Sequence, residues 1–102
     1  MTAHLLILYP TPKDEASFEK AYREEHLPLA GPKLVGASGV KSMRVVGPAF
    51  APPPYHFVSD VSFPSLESLK ACAGSVGGQE ALAHAASIST GGAPLVMVVV
   101  DG

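Results

Sequence analysis

The amino-acid sequence predicts an α+β fold, with one four-stranded antiparallel sheet carrying helices on one face. Three observations predict it. Four segments read as strands, and helical segments separate the first strand from the second and the third from the fourth. The two middle strands are joined by a proline-rich loop with no helix, as antiparallel neighbours are. Only 16% of the 102 residues are charged and 47% are apolar, which is too little polar cover for both faces of a sheet.

The first strand is Leu5 to Tyr9, stopped by Pro10 and Pro12. A helix comes next, capped either by Thr11 with Pro12 in first position or by Asp14. Phe18, Tyr22, His26 and Leu29 recur at helical spacing and form its sheet-facing stripe. Pro28 lacks an N–H and disturbs the end of this helix. Val40 to Val46 is the second strand, with Val40, Ser42, Arg44 and Val46 on one side. Gly47 to Pro54 holds four prolines and is a loop. Tyr55 to Phe63 is the third strand, on which simple alternation puts His56, Val58 and Asp60 on one face.

Pro64 and Ser65 open a second helical region with Leu66, Leu69 and Ala73 as its core stripe; Gly74, Gly77 and Gly78 interrupt it. Gln79 to Ile88 is helical again and stops before Gly91 and Gly92. Leu95 to Val100 is an unbroken apolar strand, read as lying inside the sheet. The order is the ferredoxin-like βαββαβ arrangement in a single domain, residues 1–102. One sheet face remains bare and apolar. A homodimer through the sheet faces is expected to cover it.

The net charge of −2 and the scattered lysines and arginines argue against nucleic-acid binding by phosphate neutralisation. The longest apolar run, Leu95 to Val100, is too short to span a bilayer. The N-terminus has no basic region ahead of its apolar stretch, so it does not read as a signal peptide, and the expected location is cytoplasmic. A single cysteine, Cys72, excludes an internal disulfide and reads as a small core residue. No HxH or HExxH spacing suggests a metal, and no glycine loop suggests a nucleotide.

The chemistry that remains centres on His26. It lies one turn after Tyr22, so both side chains can point into one cavity. An imidazole moves protons near neutral pH, and a tyrosine hydroxyl holds a carbonyl or enol oxygen. A helix C-terminus favours imidazolium at His26, whereas burial favours the neutral ring. Arg44 would anchor an acidic substrate if it pointed into a pocket.

The segment YPTPKDEASFEKAYREEHLPL at 9–29 resembles the opening signature of the EthD family of dimeric α+β barrel proteins. The matching residues are Tyr9, Pro10, Asp14, Phe18, Tyr22, His26, Pro28 and Leu29. The likeness continues at 53–63, 65–71 and 78–83. It implies a ferredoxin-like fold, a dimer built through the sheets, and a pocket between helices and sheet. The family is associated with bacterial breakdown of ethyl tert-butyl ether. Similar barrels include muconolactone isomerases, polyketide cyclases and antibiotic-oxidising monooxygenases. One departure stands out: family members carry an Asp after Leu-Ala in the second helical region, and here Leu82 and Ala83 precede His84. If that Asp pairs with the first-helix histidine, His84 puts a titratable imidazole in its place.

The expectation is a small cofactorless enzyme of a catabolic route, acting on a hydrophobic carbonyl compound, lactone or aromatic by isomerisation, cyclisation or oxidation. His26 and Tyr22 are its catalytic candidates; Phe18, Leu29, Tyr55 and His84 are its substrate-binding candidates. The alternative is a non-catalytic ligand-binding or auxiliary protein.

Overall fold

A computed structural model describes residues 2–48 and 54–102. The expected loop at 47–54 lies mostly outside them. The elements are β1 (Ala3–Pro10), α1 (Glu15–Ala21), a π-helical turn (Tyr22–His26), α2 (Leu27–Ala30), a 3-10 turn (Gly31–Lys33), β2 (Gly39–Arg44), β3 (Tyr55–Phe63), α3 (Leu66–Gly74), α4 (Val76–Ile88) and β4 (Leu95–Val100). The strands form one antiparallel sheet in the order β2-β3-β1-β4. This is the βαββαβ arrangement the sequence predicts, with the helices on one face.

Strict alternation builds the core. Ala3, Leu5, Ile7 and Tyr9 of β1 are buried, as are Phe57, Val61 and Phe63 of β3. The helices cover them with Phe18, Tyr22, Leu69, Cys72 and Ala85. Asp14 caps α1, accepting a hydrogen bond from the Ser17 N–H at 2.8 Å, which settles the choice between Asp14 and Thr11. Ser65 caps α3 in a reciprocal arrangement with Ser68.

Three sequence expectations are corrected. First, Gly77 and Gly78 do not interrupt a helix; α4 begins at Val76 with Ser75 as its cap. Gly78 sits where a Cβ would lie 1.9 Å from the Cys72 carbonyl oxygen, so its place is set by the close approach of α3 and α4. Second, β4 lies at the sheet edge, not inside it. All six of its residues are exposed, between 37% and 51%: Val96, Val98 and Val100 because the helices do not extend over them, and Leu95, Met97 and Val99 because they lie on the open face. Third, His56 does not share a face with Asp60. The pairing slips between Tyr9 and Pro10, which oppose Phe57 and Tyr55. The extra residue in β3 is His56, turned onto the helix side by the bulge.

Candidate functional site

The site starts from an irregularity in the first helix. Between Tyr22 and His26 the backbone takes a π turn, and the Leu27 N–H bonds to the Tyr22 carbonyl five residues back. Pro28 has no N–H to give, and its ring clashes with the carbonyl four residues before it in a regular α-helix. Widening the turn lets the chain continue past the proline as α2. It also shifts the phase of α2: Ala30 is buried, and Leu29 turns outward with 38% exposure.

His26 is 7% exposed. Its Nδ1 lies 3.0 Å from Nδ1 of His84 on α4. The ring planes differ by 5° and the centres are 5.2 Å apart, too far for a face-to-face stack and right for two imidazoles meeting edge to edge. A hydrogen bond between two such nitrogens needs a proton on one and a lone pair on the other. The pair therefore couples the tautomers of both rings. His26 Nε2 makes no hydrogen bond among the described residues. Burial, and secondarily the neighbouring His84, lower the His26 pKa from 6.5 to about 4, so the ring is neutral at pH 7.

Beside His26 is a cavity of about 30 Å³, room for one or two waters. Its walls are apolar, from Leu5, Leu27, Val40, Val61 and Ala85 among others, with Ser59 as the second polar group. Tyr22 packs against His26 with ring centres 5.6 Å apart. Its hydroxyl reaches the cavity only through Ser59, to whose Oγ it donates at 3.0 Å. On its other side it meets Ser42 Oγ at 2.7 Å. Ser42, Tyr22 and Ser59 thus form a line of hydroxyls from the sheet edge to the cavity.

The other expected site residues divide. His84 joins His26. Phe18 does not line the cavity; it is a core residue packed on Tyr9 and Phe57 at 4.9 and 5.7 Å between ring centres. Leu29 faces outward because of the π turn, and Leu27 takes its place on the wall. Tyr55 opens β3 away from this cavity. Ser59 was legible but not singled out: it is the polar member of the core-facing series Phe57, Ser59, Val61, Phe63.

A second polar cluster lies across α1 from the cavity. Glu19 accepts from Arg23 at 3.2 Å, from His56 Nε2 at 3.2 Å and from Arg44. The Arg44 guanidinium, helped by His56, holds the Glu19 carboxyl below the usual carboxylate range against the opposing effect of burial. On the open sheet face, His4 places one ring nitrogen 2.9 Å from Asp60 and the other 2.9 Å from Asp101. Those hydrogen bonds, Asp101 first, raise the His4 pKa above 6.5. Among the described residues, no group of three or more His, Cys, Asp or Glu could hold a metal ion, and no helix is long and apolar enough to cross a membrane.

No family model and no curated protein sequence matches the chain. Solved structures do. An ethyl tert-butyl ether (EthD) family protein from Bacillus halodurans C-125 superposes with a TM-score of 0.87 at 24% identity, covering 100% of each chain. A dimeric ferredoxin-like protein of unknown function from Jannaschia sp. CCS1 gives 0.67 at 18% identity, covering 98% of each. SnoaB, a cofactor-independent oxygenase from Streptomyces nogalater, gives 0.65 at 9% identity, covering 98% of this chain and 92% of that one. The chain is similar along its whole length to an EthD-family protein and shares its ferredoxin-like fold.

Proposed function

We propose that the cavity at His26 takes a small apolar carbonyl compound, lactone or aromatic, and that His26 moves a proton there without a cofactor. The observation that carries this reading is the edge-to-edge His26–His84 pair beside an otherwise apolar cavity. With Nδ1 engaged by His84, Nε2 is the nitrogen left for a ligand. In the base form it accepts a proton from a carbon next to the carbonyl; the C–H electron pair becomes the carbon–carbon double bond of the enolate, and the carbonyl π pair moves onto oxygen. The proton gained at Nε2 leaves His26 as imidazolium, whose Nδ1–H donates to the His84 lone pair. Ser59, held by the Tyr22 hydroxyl, donates to the developing oxyanion. Tyr22 is then a positioning residue. Return of the proton to another carbon gives isomerisation; attack of the enolate carbon on a second carbonyl gives cyclisation; its capture by dioxygen gives oxidation. The cofactor-independent oxygenase among the structures of this fold supports chemistry of this kind, and membership in the EthD family is part of the same proposal.

A substrate larger than two waters enters only if the wall moves. The wall segment from Leu27 to Leu34 comes after the π turn and runs through α2 and a 3-10 turn, a sequence of helix types that packs less regularly than one continuous helix. The small volume equally favours the second reading, a non-catalytic binding or auxiliary protein. A screen of lactones and phenolic carbonyl compounds separates the two. Turnover by the native chain, lost in His26→Ala and His26→Gln with the fold intact, supports the enzyme. Binding retained in His26→Gln, with no turnover by the native chain, supports the auxiliary protein.

We also infer that two copies pair through their open sheet faces. Leu6 and Leu8 of β1 and Leu95, Met97 and Val99 of β4 form an apolar surface there, and a dimeric relative of the same fold supports this reading.

A further inference from the structure

The cluster around Glu19 borders a groove of about 400 Å³ on the outer side of Tyr22, a volume typical of small-ligand sites. Its floor is the ring of Phe57 and the side chain of Leu27. Along one wall run Ser42 and Arg44, two residues apart on the helix-facing side of β2, which is an edge strand among the described residues. The charged residues that line it are Glu19, Arg23 and Arg44, an excess of one positive charge.

Glu19 is deeply placed, with only 13% of its side chain exposed, while Arg44 and Arg23 keep 58% and 67%. Each arginine uses Nη2 on the same Glu19 oxygen, Oε1. One carboxylate thus orients two guanidiniums and leaves N–H donors over on each, although Arg23 also gives its Nε–H to the Glu19 carbonyl at 3.5 Å. The Ser42 hydroxyl gives its proton to the Tyr22 oxygen at 2.7 Å, since Tyr22 donates its own to Ser59. A cationic fork beside an aromatic floor within one groove matches a planar acid with an apolar body.

We propose that this groove is a binding site for a small aromatic or apolar monocarboxylate, with Arg44 pairing to its carboxylate, Arg23 assisting, and Phe57 and Leu27 holding its body. Glu19 is the anchor that presents both arginines. The site lies across Tyr22 from the cavity at His26, and the proposal does not depend on what that cavity does.

The test uses benzoate as probe and benzamide, its neutral near-isostere, as control. Both are titrated into the whole protein and monitored by backbone and arginine side-chain NMR shifts. Benzoate should shift Ser42, Arg44 and Phe57 together. Arg44→Gln should weaken it at least about tenfold, the loss of a charge-assisted pair. Arg44→Lys keeps a charge opposite Glu19 but loses the fork, and should fall between the two. His26→Gln should bind benzoate as the native chain does. Equal affinity for benzamide, unchanged binding in folded Arg44→Gln, or loss of binding in His26→Gln would each overturn the proposal; the last would move the acid to the cavity. Should Arg44→Gln fail to fold, Arg44→Lys binding as tightly as the native chain would also overturn it.

Discussion

Nδ1 of His26 lies 3.0 Å from Nδ1 of His84, between rings tilted by only 5°. A residue of the first helix and one 58 positions later thus share one hydrogen bond, and each constrains where the other keeps its proton. His84→Leu removes the partner and leaves a buried ring nitrogen unpaired. Stability should fall by about 1–3 kcal/mol in urea unfolding. His84→Asp restores an acceptor and should recover part of that loss.

The pair also fixes an acid response. His26 titrates near 6.5 in the unfolded chain and at about 4 in the folded one, because burial opposes its charge. Between those values the unfolded state binds the extra proton, so stability should drop as pH falls from about 6.5 towards 4. Imidazole proton shifts in the folded protein should show His26 still neutral at pH 5. His26→Gln should remove that part of the acid dependence.

His4 acts with the opposite sign. Donation from both ring nitrogens, to Asp101 and Asp60, requires the imidazolium. Its folded pKa is raised, so its stabilisation is complete below 6.5 and is lost as pH rises through the raised value. Unfolding midpoints measured across neutral pH should decline on the alkaline side in the native chain. The decline should flatten in His4→Gln.

Helix propensity alone favours alanine over glycine inside α4 by about 1 kcal/mol. The structure reverses the sign at Gly78, where a Cβ would meet the Cys72 carbonyl oxygen at 1.9 Å. Gly78→Ala should destabilise by about 1–3 kcal/mol in chemical denaturation, because backbone must move to admit the methyl.

Met97 lies on the open face opposite Leu6. If two copies meet there, Met97→Asp places an unpaired carboxylate in the contact and should shift light scattering from dimer to monomer. Native protein that scatters as a monomer at micromolar concentration would end the sheet-face reading.

Much of the fold was legible because it rests on local periodicity. Apolar runs marked β1 and β4, Thr11 and Asp14 bracketed the start of α1 within a turn, Ser65 marked the start of α3, and the helix-free connection made β2 and β3 antiparallel neighbours. Errors arose where one extra residue changes the phase. The π turn moved Leu29 off the cavity wall, and the bulge carried His56 from Asp60 to Glu19. Neither is visible to a rule that counts by fours or by twos.

The sequence by itself determined the order of elements, the antiparallel pairing of the two middle strands, and the presence of His26 and Tyr22 one turn apart. Only the tertiary structure decided that His84 meets His26, that the Tyr22 hydroxyl bonds to Ser59, that β4 is an edge, and that Arg44 and Arg23 share Glu19. The physical reason is range. Strand and helix patterns arise from neighbours within a few residues, whereas these contacts depend on how helices far apart in the chain settle on one sheet.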